Sequence, residues 1–387
     1  MRFALPLLLA AATLPCLASL AEPVDVFVAG TEGYHTFRIP SLIRAHNGNL
    51  LAFAEGRRNS ASDTGDIDLV MRRSTDNGRS WGPLELVWSD DDNTCGNPCP
   101  VVDARTGSIW LFATHNLGQD RERDIVAGKA VGTRMPWLLV SHDHGHSWSP
   151  AQQMEHLKDP FWGWYATGPG VGIQIENGPH AGRLVIPCVH SYPDPAGSIH
   201  DQPFEYGSHV VYSDDHGQTW QLGGLVRPKT NECQVVELAT PPGRLLLNLR
   251  SYHGLGRRAE STSDDGGLNW SAVTHHDDLI EPLCQASIIR HRWPDAAQAG
   301  LLVFANPASS QLRQRVRMTV RTSSDEGRSW SAGVLLHEAF SAYSSLVPLG
   351  PDTVGCLFER GATPRRRSYE LISFATVPLS QASAPQP

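Results

Sequence analysis

One eight-residue pattern occurs five times: Ser74-Thr-Asp76-Asn-Gly78-Arg-Ser80-Trp81, Ser141-His-Asp143-His-Gly145-His-Ser147-Trp148, Ser213-Asp-Asp215-His-Gly217-Gln-Thr219-Trp220, Ser263-Asp-Asp265-Gly-Gly267-Leu-Asn269-Trp270 and Ser323-Ser-Asp325-Glu-Gly327-Arg-Ser329-Trp330. All read S-x-D-x-G-x-[STN]-W. Each position has a task in a tight hairpin. Asp accepts hydrogen bonds from nearby backbone amides, Gly takes positive φ without a Cβ clash, and Trp buries a large ring behind the turn. Strand-like runs such as Trp137-Leu-Leu-Val140 and His209-Val-Val-Tyr212 precede most copies, and short strands with turn signals and few helical patterns predict an all-β fold. The Asp positions are separated by 67, 72, 50 and 60 residues, an interval that suits one four-stranded blade with variable loops. Five turns, with leftover sequence at roughly 24 to 60 and 335 to 378, predict a six-bladed β-propeller of four-stranded antiparallel blades whose last blade is closed by strands from both termini.

The domain reading follows from the same repeats. Residues 1 to 21 have a lone Arg2, an apolar run from Phe3 to Leu14 and small residues Ala18, Ser19 and Ala21, the pattern of a secretory signal peptide cleaved after Ala21. Residues 22 to 380 are expected to form a single propeller domain and residues 381 to 387 a loose C-terminal tail. A secreted or periplasmic protein is therefore expected. No stretch is long enough to span a bilayer as a helix. Six cysteines remain after cleavage: Cys95, Cys99, Cys188, Cys233, Cys284 and Cys356. Export permits disulfides, and the close pair Cys95/Cys99 is the candidate. A zinc site lacks a second C-x-x-C or an H-x3-H. His142, His144 and His146 fill variable positions of one turn, which argues against a metal cluster there, and neither a metal nor an organic cofactor is expected. The net charge of −8, without a long Lys or Arg run, argues against nucleic acid as a partner.

The eight-residue turn resembles the Asp box of sialidases, and the segments between the turns resemble the exo-α-sialidase (neuraminidase) family more specifically. Phe37-Arg38-Ile39-Pro40 is similar to the family's F/Y-R-I-P motif, whose Arg is the first of three that grip the substrate carboxylate. Phe53-Ala-Glu-Gly-Arg57 followed by Asp63 resembles the segment with a substrate-binding Arg and the acid/base Asp. Asn97-Pro98-Cys99-Pro100 resembles a pocket loop whose Asn contacts sugar. Asn231-Glu232-Cys233-Gln234 resembles the segment bearing the base, and Leu249-Arg250 the second Arg of the triad. Arg315-Val-Arg-Met-Thr-Val-Arg321 is similar to the third Arg segment, Ser341-Ala-Tyr343-Ser-Ser-Leu346 to the nucleophile loop, and Leu357-Phe-Glu359 to the Glu that orients the first Arg. One departure stands out: Arg317 lies where the resemblance implies Asn. Strand alternation puts 315, 317 and 321 on one face and does not choose among them; the motif favours Arg315.

The residue types suit the chemistry that the resemblance implies. Sialic acid carries a carboxylate on its anomeric carbon, and planar guanidinium groups match a carboxylate through charge-assisted bidentate hydrogen bonds. A carboxylate nucleophile would meet that group with like charge, whereas a neutral phenol avoids the repulsion; sialidases with a Tyr nucleophile are a known exception to the two-carboxylate scheme. A free phenol has a pKa of about 10, so Tyr343 needs a neighbouring base, for which Glu232 is the candidate. Asp63 is the candidate acid/base, ahead of Asp66 and Asp68. Glu122 and Asp124 are set either at the pocket or on a surface loop.

The implied activity is hydrolysis of terminal α-linked sialic acid from glycoproteins, glycolipids or oligosaccharides, with retention, by a monomer. The alternatives are a hydrolase of another nonulosonic acid, such as a deaminated sialic acid, and a non-catalytic sialic-acid-binding propeller.

Overall fold

The computed structural model describes residues 20–363 and 367–383; the leader expected over residues 1 to 21 lies almost wholly outside them. Strands dominate. Among the described residues helix is confined to Glu122–Val126, Leu379–Ala382 and a 3-10 turn at Glu155–Leu157. The strands follow one another as antiparallel meanders. Thr36–Arg44 pairs with Leu50–Arg57, which pairs with Ile67–Ser74, which pairs with Glu85–Trp88. The same order recurs through Thr230–Glu237, Leu245–Ser251, Arg257–Ser263 and Thr274–Ile280. The only parallel contact in the described sheets is the single pair Ile67 with Thr94. The chain ends meet: Val24–Val28 pairs with Leu371–Pro378, Val24 lying opposite Phe374.

The middle strands are covered on both faces. Leu50–Arg57 is buried at every position, so its sequence reads as a continuous run and not as an alternation. Its two faces feed different cores. Leu50, Ala52 and Ala54 pack with Val26, Phe27, Phe37 and Phe374, whereas Leu51 and Phe53 pack with Leu69, Ile109 and Leu111.

The five repeats close their hairpins in one way. In each, the Ser hydroxyl donates to the Asp carboxylate and accepts the Gly amide, as in Ser213 Oγ to Asp215 Oδ1 and Gly217 N to Ser213 Oγ, both 2.8 Å. The other Asp oxygen takes the side chain four residues on, as Thr219 Oγ1 does at 2.6 Å. These bonds to the ionised form hold Asp76 at a pKa of about 2, with the Ser80 hydroxyl the first cause. Gly217 has φ +89, and a Cβ there would stand 2.0 Å from the Trp110 ring. Trp220 and Trp330 are buried as expected, while Trp81, Trp148 and Trp270 are half-buried.

Two expectations are corrected. Residues 381 to 383 are not loose: Leu379 and Ala382, three apart on a short helix, bury the same face. Ser331 Oγ donates to Ala382 O at 2.5 Å. The remaining residues 384 to 387 lie outside the described chain. Cys95 and Cys99 are not bridged; all six cysteines outside the leader are buried thiols. The two lie along one strand, Thr94–Val102, where a rise of about 3.3 Å per residue carries them apart.

Candidate functional site

Strands of this fold alternate their side chains between two packed faces, so a residue that is to act at the open end of the molecule has to leave the alternation. Four inner strands do so at their candidate residue. The pairing register slips between Arg38 and Ser41, between Gly96 and Cys99, between Thr230 and Cys233, and between Ser341 and Ser344. Such bulges re-aim side chains. They bring Arg38, Asn97, Glu232 and Tyr343 to one cavity of about 760 Å³, which Arg57, Asp63, Arg250 and Arg315 also line. Positive φ at Ile39 and Asn97 marks two of the bulges.

Arg38 is held from behind. Glu359, fully buried, accepts Arg38 Nε at 3.1 Å and Nη2 at 3.3 Å, and its two oxygens also take the backbone amides of Ile39 and Tyr343. One carboxylate thus fixes both a guanidinium and the backbone of the candidate nucleophile. The Arg38 guanidinium lies 4.0 Å from the centre of the Tyr369 ring and 5.0 Å from that of Tyr343. Arg250 Nη1 donates to Glu232 Oε2 at 2.7 Å and lies 3.4 Å from Tyr343 Oη. The Tyr343 hydroxyl donates to the other Glu232 oxygen in a very short bond. Burial, then the Glu232 charge, pushes the Tyr343 phenol well above its usual value, against the pull of Arg250, Arg315 and Arg38. It is a neutral phenol until a base takes its proton.

Asp63 lines the same cavity. Arg57 Nη2 is 2.8 Å from its Oδ1 and Arg38 Nη1 3.5 Å. The carboxyl is 72% exposed because it borders the open cavity. Loss of solvation tends to raise its pKa, but Arg57 and then Arg38 outweigh that and hold it below the usual carboxylate value. Asp66 and Asp68 turn away to Arg58, and Asp68 also accepts the Tyr34 hydroxyl.

The third Arg segment resolves into distinct places. Arg315 lines the cavity, its Nη1 3.3 Å from Tyr369 Oη and its Nη2 3.1 Å from Leu283 O. Register slips between Val316 and Met318 break the alternation. Arg317, at φ +64, turns outward, 49% exposed, to an ion pair with Glu338. Arg321 is buried beside Asn306. The left-handed backbone suits Asn, the residue that the family resemblance implies at this position, better than Arg, because Asn tolerates that region more readily. Arg317→Asn is accordingly expected to keep kcat/KM within about twofold and to leave thermal stability unchanged or slightly raised, since an exposed ion pair contributes at most about 1 kcal/mol. A drop in kcat/KM of more than about tenfold in steady-state assays would show that Arg317 serves the site after all.

Several lining residues escape sequence reasoning. Glu55 takes Arg57 at Nε (2.9 Å) and Nη2 (2.6 Å) through one oxygen and the Asn97 amide through the other. Its spacing of two from Arg57, on the same strand face, is a signal that could have found it. Of the two acids that the sequence sets either at the pocket or on a surface loop, Glu122 lines the cavity and accepts the Tyr206 hydroxyl at 2.6 Å, while Asp124 pairs with Arg123. Tyr369 and the buried Arg134 carry no local signature. Among the described residues no cluster of three or more His, Cys, Asp or Glu is placed to hold a metal.

The BNR repeat-like domain family matches residues 48–354. The sialidase of Micromonospora viridifaciens is 34% identical over 90% of this chain, and that of Bacteroides fragilis 32% over 87%. The chain spans only 53% and 62% of those two relatives. It spans 94% of Sialidase-2 of Mus musculus, at 31% identity. Among solved structures, a Hadza microbial sialidase superposes with a TM-score of 0.77 at 30% identity, covering 92% of this chain and 68% of its own. The intramolecular trans-sialidase of Ruminococcus gnavus reaches 0.76 at 20% identity, covering 94% and 99%, a likeness of fold alone.

Proposed function

The chain belongs to the sialidase family of BNR-repeat β-propellers, and from that premise we propose that it is an exo-α-sialidase, releasing terminal α-linked sialic acid from glycoproteins, glycolipids or oligosaccharides with retention of configuration. The observation that carries this reading is the contact between the Tyr343 hydroxyl and Glu232, whose second oxygen is held by Arg250, inside an Arg-lined cavity that Asp63 also lines. A module that only binds carbohydrate has no use for a phenol paired with a base.

In this proposal Arg38, Arg250 and Arg315 take the substrate carboxylate, and Arg57 and Asn97 contact the sugar. The Tyr343 oxygen attacks the anomeric carbon while its proton passes to Glu232. As the glycosidic bond breaks, protonated Asp63 gives its proton to the departing oxygen. The sugar is then bound to Tyr343. Ionised Asp63 next takes a proton from water, the water oxygen attacks the anomeric carbon, and Tyr343 leaves with the proton returned by Glu232. Two displacements at one carbon restore the starting configuration.

The propeller reading extends to six blades. Support comes from the strand groups: five run from Thr36 to the first half of Val334–Gly350, and a sixth joins the second half of that long strand to Thr353–Arg360, Leu371–Pro378 and Val24–Val28. A single domain and export through the apolar leader belong to the same proposal.

A fluorogenic aryl sialoside is expected to be hydrolysed, with the α-anomer of the free sugar appearing first by proton NMR. No turnover on any sialoside would overturn the assignment. The β-anomer appearing first would leave the activity and remove the Tyr343 intermediate.

A further inference from the structure

Hydrogen-bond polarity propagates along a buried line of side chains that ends at the cavity. The Asn116 amide nitrogen donates to Leu117 O at 2.9 Å and Asp120 O at 3.1 Å, which leaves Asn116 Oδ1 facing Arg134. Arg134 Nη1 donates to that oxygen, and Nη2 donates to Asn97 Oδ1 at 2.5 Å. A guanidinium carries only donors. The Asn97 atom beside it therefore has to be the oxygen, and the orientation of the amide is dictated.

The rest of Asn97 is held as firmly. Its amide hydrogen goes to Glu55 at 2.8 Å and its carbonyl accepts Thr167 Oγ1 at 2.6 Å, with φ at +51. Among the described residues nothing accepts from Asn97 Nδ2, which is not a sealed, unpaired atom, and Asn97 lines the cavity. Arg134 is itself locked. It is buried, its guanidinium lies 4.4 Å from the Trp164 ring centre, and its carbonyl takes Lys158 Nζ at 2.9 Å. Burial lowers its pKa only to about 10, so it stays charged at neutral pH.

We propose that Arg134 is a positioning residue which, through Asn97 Oδ1, turns the Asn97 NH2 group toward the substrate, so that this wall of the cavity selects a sugar substituent with an accepting oxygen, a hydroxyl or an acyl carbonyl, and rejects an ammonium. The inference rests on the proposed sialidase reading.

The test is a double-mutant cycle on steady-state hydrolysis of an aryl sialoside by the full chain. Asn97→Gly removes the donor, adds no charge and tolerates positive φ. It is expected to raise KM about 10- to 100-fold with kcat within about threefold. Asn97→Asp keeps the partner of Arg134 but turns a carboxylate oxygen toward the sugar; KM is expected to rise at least as much, with the thermal midpoint held. Arg134→Met should raise KM similarly, and in the double variant Asn97→Gly should add less than about threefold, because the two act as one unit. A series of sialosides lacking one oxygen each should contain one whose KM no longer separates the parent from Asn97→Gly.

Additive effects, or Asn97 variants with the parent's KM, would overturn the proposal while the parent's turnover keeps the sialidase reading intact. An inactive parent would instead remove that reading. If Arg134→Met does not fold, the Asn97 variants and the substrate series still decide whether the donor is used, and Arg134→Lys, which keeps the charge but not the fork geometry, takes its place in the cycle.

Discussion

Tyr343→Phe is expected to lower kcat by about 10³- to 10⁵-fold on every sialoside while KM moves little, the scale on which loss of a nucleophile is felt when the binding groups remain. Only the phenol oxygen is removed. Arg250 still holds Glu232, Glu359 still holds Arg38 and the Tyr343 backbone, and Arg315 keeps its contacts with Tyr369 and Leu283. The three guanidinium groups therefore keep the places from which they are proposed to hold a carboxylate, and a carboxylate-bearing inhibitor should bind the variant about as well as the parent. The residual rate reports what electrostatic stabilisation by the Arg triad achieves without covalent chemistry. Glu232→Gln separates the two parts of the pair: it leaves the phenol but removes its base, so its loss should be large and should shrink as pH rises toward the phenol's own range. A Tyr343→Phe enzyme keeping more than about a tenth of the parent's kcat would sink the covalent mechanism.

What the sequence discloses depends on how far an interaction reaches along the chain. In each Asp box Ser, Asp and Gly contact one another within four positions, so composition and spacing contain the whole turn, and five such turns suffice to announce an all-β repeat fold. The pair Arg38 and Glu359 is 321 positions apart, and no local pattern joins them; the resemblance to a family does. Arg315 and Arg317 show why alternation failed: a bulge and a positive φ at Arg317 turn two apparently equivalent side chains to opposite fates. Arg134 and Tyr369 meet their partners only across the fold, so no local pattern marks them. Residues 381 to 383 differ from a loose tail for a related reason, since Leu379 and Ala382 show an apolar face only once there is a core to receive it.

Asp63→Asn carries the second large effect, and its size should depend on the leaving group. A sugar alkoxide leaves slowly without a proton, so kcat/KM on a sialylated oligosaccharide is expected to fall about 10²- to 10⁴-fold. An aryloxide leaves unaided, so kcat/KM on a fluorogenic aryl sialoside should fall less than about tenfold. Attack by water on the glycosyl-enzyme still lacks its base in either case. The aryl substrate should therefore show a burst of fluorophore equal to the enzyme present, followed by slow turnover.

The pH dependence follows from the two arginines. In the free protein Arg57 and Arg38 overcome desolvation and hold Asp63 below the usual carboxylate range, so the acid form is scarce at neutral pH. A substrate carboxylate on Arg38 offsets part of that positive field, the Asp63 pKa rises, and binding takes up a proton. The parent should thus work best on the acidic side of neutrality and lose kcat/KM on oligosaccharides as pH rises. In Asp63→Asn that alkaline fall should be absent. Calorimetry of inhibitor binding in buffers of different ionisation enthalpy measures the proton directly. Uptake in the parent and none in the variant is the expected pair, whereas a parent optimum above about pH 9, or equal losses on both leaving groups, would remove Asp63 from the acid/base role.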